Sequence, residues 1–63
     1  MNRINVTAGF EGRLLKAFKP THLDQARRFA KQCSKNLKEV VFVQNPKKEC
    51  LYYEFENGNL QKD

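Results

Sequence analysis

Tryptophan is absent from this 63-residue chain, and methionine, histidine and serine occur once each, as Met1, His22 and Ser34. That scarcity excludes much chemistry. Neither Ser34 nor a cysteine sits in a nucleophile motif, and His22 has no obvious local partner to activate it. Structural zinc sites use four ligands, commonly with close Cys-x-x-Cys pairs. Here Cys33 and Cys50 lie far apart, and His22 would bring the set only to three. Glycine is sparse as well, and Gly9-Phe10-Glu11-Gly12 neither leads directly into a helix nor carries the lysine of a phosphate loop. No apolar run approaches the roughly 18 residues of a membrane span, and Met1–Thr7 contains no stretch of signal-peptide length. The expectation is a cytoplasmic, non-catalytic protein with no catalytic residues, no cofactor, no metal and no membrane partner. Its two cysteines, Cys33 and Cys50, are then reduced and buried small hydrophobes, a Cys33–Cys50 disulfide being the alternative for a secreted chain.

Acidic residues are the other shortage, and it is local. Residues 1–38 hold nine Lys/Arg against Glu11 and Asp24, whereas residues 39–63 hold three Lys against five acids. The net charge of +5 is therefore the sum of a strongly basic first part and a mildly acidic second part. Such asymmetry points to an electropositive surface that attracts anions.

What is present suffices for one small domain, residues 1–63. Hydrophobic residues make up 40% of the chain, enough for one core and too many for a disordered polymer. Ile4, Val6, Ala8 and Phe10 alternate with Arg3, Asn5, Thr7 and Gly9 as in a half-buried strand, with Phe10 in the core. Glu11-Gly12 reads as a turn and Arg13 to Lys19 as a returning strand, less regular because Leu14 and Leu15 are adjacent. Pro20-Thr21 opens a helix at about residues 21–36, with Thr21 as the capping side chain and Asp24 in the first turn. Leu23, Ala26, Ala30, Cys33 and Leu37 form its apolar stripe, widened by Phe29.

Val40-Val41-Phe42-Val43 is a β-branched and aromatic run within a strand from Glu39 to Gln44. Asn45-Pro46-Lys47-Lys48 forms a turn, and Cys50 to Phe55 the next strand, with Leu51, Tyr53 and Phe55 on one face. Asn57-Gly58 is a hairpin signal that pairs a short end around Asn59-Leu60. The expected fold is α+β: a small antiparallel sheet in the order β-β-α-β-β, with one amphipathic helix on one face.

Two surfaces then compete for the function. Arg27, Arg28, Lys31, Lys35 and Lys38 lie broadly opposite the apolar stripe, and Arg13, Lys16 and Lys19 are placed to extend that patch. The patch suits nucleic acid, a nucleoprotein complex or an acidic protein partner. A merely solvated helix face is the plain alternative, and the near absence of balancing acids is what separates the two. On the sheet, Val40 and Phe42 make the second face apolar when Val41 and Val43 face the helix. With Tyr52 they form an expected protein interface, most simply for a homodimer. In length and basic charge the chain is also similar to small inhibitors and regulators carried by phages and other mobile elements, which implies docking on a host protein complex.

Overall fold

The computed structural model describes residues 3–47 and 50–62. Lys48 and Glu49, expected at the end of a turn and the start of a strand, lie outside the described residues, as do Met1 and Asn2. The elements are β1 (Ile4–Ala8), β2 (Arg13–Phe18), α1 (Leu23–Leu37), β3 (Val40–Gln44), β4 (Leu51–Glu56) and β5 (Asn59–Lys62). All strands pair antiparallel in one sheet of order β2-β1-β3-β4-β5, and α1 lies across one face. The α+β reading holds, with a fifth strand where the sequence indicated only a short end.

Alternation assigns the faces. Ile4, Val6 and Ala8 pair with or adjoin Val41 and Val43, which in turn pair with Phe55 and Tyr53. This row of β-branched and aromatic side chains meets Ala26 and Ala30 and forms the buried core with Phe18. Phe10 is the exception to the alternation: it lies past the end of β1 in the hairpin turn and is 86% exposed.

Three bulges adjust the pattern. On β2, Val6 pairs with Lys16 and Thr7 with Leu14, so Leu15 is the extra residue and packs on the core while Leu14 stays exposed. The adjacent leucines thus serve opposite sides of the sheet. On β4 the extra residue is Tyr52, between the pairs Val43–Tyr53 and Gln44–Leu51. A third bulge leaves Gln61 unpaired on β5.

The helix differs from expectation at its start and along its stripe. Its N-cap is His22 rather than Thr21, with no side-chain cap; the His22 carbonyl accepts the Ala26 amide at 3.0 Å. Thr21 remains in the preceding turn, which the His22 amide closes by donating to the Lys19 carbonyl at 2.9 Å. The fully buried line is Ala26, Ala30 and Ser34, whereas Cys33 is half-buried and Leu37 exposed. Burial alone pushes the Cys33 thiol pKa up, away from thiolate reactivity. Both cysteines are free thiols, and Cys50, expected to be buried, is exposed because it lies just ahead of β4 and outside the core.

Ser34 is buried because it has work for both of its hydrogen-bonding capacities. Its Oγ donates to the Lys31 carbonyl at 2.9 Å and accepts the Gly58 amide at 2.9 Å. Gly58 belongs to the β4–β5 turn, where Asn57 and Gly58 have φ of 56° and 80°, the positive pair a type I′ turn requires. One hydroxyl therefore ties the last turn of α1 to the last hairpin. Ser34→Ala is expected to lower stability by about 1–3 kcal/mol, because the Gly58 amide loses its acceptor in a mostly dry contact. Urea unfolding with an unchanged midpoint would show that the bond contributes nothing.

Candidate nucleic-acid interface

At about 100° per residue, Arg27, Arg28, Lys31, Lys35 and Lys38 do not surround the outer side of α1; they occupy one flank of it. Gln25, Gln32 and Asn36 occupy the other flank, with Gln32 donating to Asn36 at 3.1 Å. Two contacts show which flank is which. The Arg27 guanidinium stands 5.4 Å from the centre of the Tyr53 ring on β4. Lys35 lies against Gly58: a methyl group added at that glycine would sit 3.3 Å from the Lys35 Cβ. The cations therefore form a ridge over the β4–β5 side of the sheet.

The ridge is not neutralised. Among the described residues, the ion pairs are those of Arg13 alone, and no helix cation has a carboxylate partner. Arg28 donates weakly to the Asp24 carbonyl at 3.4 Å, and Asp24 is the single acid on the helix. All five basic residues are exposed. From Arg27 to Lys38 the helix rises about 16 Å, and a DNA duplex carries one phosphate charge per ~1.7 Å of axis. A backbone laid along the ridge has more than enough charges to meet every cation.

Lys38 has a further peculiarity. It closes the helix in the left-handed region, φ 57°, donating its amide to the Ser34 carbonyl at 3.0 Å. Glycine is the usual occupant of that position, and an L side chain there is strained by about 1 kcal/mol. The strain places a positive charge beside the negative end of the helix dipole and at the end of the ridge.

The strand residues expected to extend the patch do not join it. Strand β2 is the far edge of the sheet from β4 and β5. Lys16 folds over Phe18 and Phe29, its ammonium 5.1 Å and 5.5 Å from the two ring centres, with those rings edge to face. Lys19 is exposed just past the same strand. Arg13 is held by Glu39 at 2.7 Å and Glu11 at 3.4 Å. The Glu39 hydrogen bond, then its charge, raise the Arg13 pKa still further above neutrality against a slight desolvation, so this cation is permanent but already partnered. The pairing of Arg13 with Glu39 joins residues 26 apart in sequence, which spacing alone does not reveal.

The expected protein interface is also divided. Val40 and Phe42 are on the open face, paired with Glu56 and Glu54. Tyr52 packs instead against the core on the other side, because the β4 bulge breaks the alternation that would have set it beside Phe42. Leu51 takes its place, opposite Gln44. Phe10, read as core, leans edge-on to Phe42 with ring centres 5.9 Å apart.

Among the described residues, no three His, Cys, Asp or Glu side chains converge as metal ligands would. Among the same residues, no helix is long and apolar enough to cross a membrane. Comparison of the chain with protein-family models, with curated proteins and with solved structures gives no match.

Two substitutions separate the ridge from the rest of the basic surface. Arg13→Gln is expected to change elution from a heparin column less than Arg28→Gln does, because Arg13 is already paired. Lys38→Gly should elute earlier than wild type yet unfold at a higher urea concentration, by about 1 kcal/mol of relieved strain. Equal losses of retention for Arg13 and Arg28 would dissolve the distinction between ridge and surface.

Proposed function

We propose that this protein is a non-catalytic binding module that grips the phosphate backbone of nucleic acid, free or within a nucleoprotein complex, through the cationic flank of α1. The observation that carries the reading is the ridge itself: five exposed cations on one flank, set against Asp24 alone and free of carboxylate partners among the described residues. One of its members is braced, Arg27 on the Tyr53 ring, so less side-chain entropy is lost there when phosphate arrives.

The residues that might have supported catalysis are otherwise engaged. Ser34 is buried in two structural hydrogen bonds, His22 is a half-buried N-cap, and the Cys33 thiol is held in its neutral form. Two free thiols suit the reducing cytoplasm, where we place the protein.

The contacts available are backbone contacts. A ridge of lysine and arginine along a helix flank reads charge, while base identity is read by side chains reaching groove edges. Weak sequence preference and steep salt dependence follow. Each phosphate neutralised adds about 0.9 to the slope of log affinity against log salt on duplex DNA. The double variant Arg28→Glu/Lys31→Glu should weaken binding to duplex and to single-stranded DNA and reduce that slope by about 2. Both side chains are exposed, so stability should move by less than about 0.5 kcal/mol. Fluorescence anisotropy with both forms at low salt decides the matter. If the wild type binds neither, the ridge serves an acidic protein or is merely solvated.

A further inference from the structure

The cationic flank of α1 borders a strip of sheet with a different chemistry. Tyr53 and Phe55 point to the helix side of β4, Phe55 buried and Tyr53 half-buried, with ring centres 6.2 Å apart. Leu60 pairs with Phe55, so it shares that side on the edge strand β5, where it is 42% exposed. Beyond the ridge lies a narrow apolar shelf that α1 leaves partly uncovered.

Arg27 stands where ridge and shelf meet. Its guanidinium lies over the Tyr53 ring, 5.4 Å from the ring centre, and the residue is exposed. A guanidinium is planar and weakly hydrated, so one face can rest on a ring while the other takes a second flat π-system. Lysine at this position would supply the same charge without the flat face. Lys31 and Lys35 follow at steps of four residues, about 6 Å each along the helix.

The charge on this side is of one sign apart from Asp24. Glu54 and Glu56 pair with Phe42 and Val40, which puts both acids on the other face of the sheet. Lys62 lies opposite Glu54 there and belongs to that face too. Asp24 precedes Arg27 and Arg28 by one helical turn and is in no ion pair among the described residues.

A flat platform beside a line of cations discriminates between forms of nucleic acid. In a duplex the bases are paired and stacked on one another, so Arg27 meets only phosphate. In a single strand a base is free to turn onto the guanidinium while neighbouring phosphates meet Lys31 and Lys35. We propose that the ridge takes single-stranded nucleic acid, with one unpaired base stacked on the Arg27–Tyr53 pair. This rests on the reading of α1 as a phosphate-gripping flank and adds the form of the substrate to it. Every base has a π-face, so the stacking contact leaves sequence preference weak. Charge alone works in the opposite sense, because the duplex is the more densely charged form. A preference for single strands is therefore the mark of stacking.

The test compares oligo-dT, oligo-U, a hairpin duplex and a strand of abasic tetrahydrofuran sites, each about 20 nucleotides long, by fluorescence anisotropy at one low salt concentration. The wild type should bind the better of the two homopolymers at least about tenfold more tightly than the abasic strand, and more tightly than the duplex. Which homopolymer is preferred distinguishes RNA from DNA. Arg27→Lys keeps the charge and removes the flat face. It should lose about tenfold on the homopolymers while its affinity for the abasic strand and its salt slope stay as in the wild type. Arg27 is exposed, so the variant should remain folded, as circular dichroism would verify. Equal binding of homopolymer and abasic strand, tighter binding of the duplex, or no selective loss in Arg27→Lys overturns this inference and leaves the phosphate grip standing. Absence of binding to all four ligands overturns the phosphate grip, and the inference with it.

Discussion

The closeness with which α1 lies on the sheet governs the rest of the surface. Its contact line is Ala26, Ala30 and Ser34, three small side chains with no solvent exposure. Small residues let the helix backbone approach the β-branched floor of Val6, Val41 and Val43, and the larger Leu23, Phe29 and Cys33 fill the margins. With so thin a contact line, the long side chains of the helix are left outside it, and the basic ones gather on one flank. The same line explains a serine in a core: at that spot a hydroxyl is needed to satisfy the Gly58 amide, and an apolar group of similar size would leave that amide without its partner.

The bulges do comparable work for the sheet. A strand with perfect alternation cannot turn both Leu15 and Phe18, three residues apart, toward the same core. One extra residue at Leu15 permits it. The bulge at Tyr52 draws an aromatic side chain toward the core and sends Leu51 to the row of Gln44. These local departures are what make one face of the sheet a closed core and the other an open surface with its own chemistry.

Much of this was legible beforehand, and the failures have identifiable causes. Element order, the split of Val41/Val43 from Val40/Phe42 and the Asn57-Gly58 turn all follow from periodicity and turn chemistry. The helix stripe was nearly right, but periodicity gave Cys33 the place that Ser34 holds, because a serine counts as polar until its partners are known. Phe10 was assigned to the core since alternation does not announce where a strand ends. Tyr52 was misplaced because a bulge has no clear signature in a single sequence. The five helix cations singled out by their spacing do lie together on α1. Their confinement to one flank, and the separation of Arg13, Lys16 and Lys19 from them, depend on strand order and on the long-range pairing of Arg13 with Glu39.

The opposition of the two faces has a kinetic meaning. Positive charge is concentrated on the flank of α1, while Glu54 and Glu56 stand on the far side of a sheet only one layer thick. The cations of α1, set against these two acids, contribute a dipole across the sheet. In the field of any polyanion the molecule turns before it touches, so that collisions arrive ridge first instead of at random. This alignment acts within a Debye length, about 8 Å at physiological ionic strength. The molecule's own extents are 31 × 23 × 18 Å, so orientation is imposed only in the last stretch of approach, and added salt shortens it further.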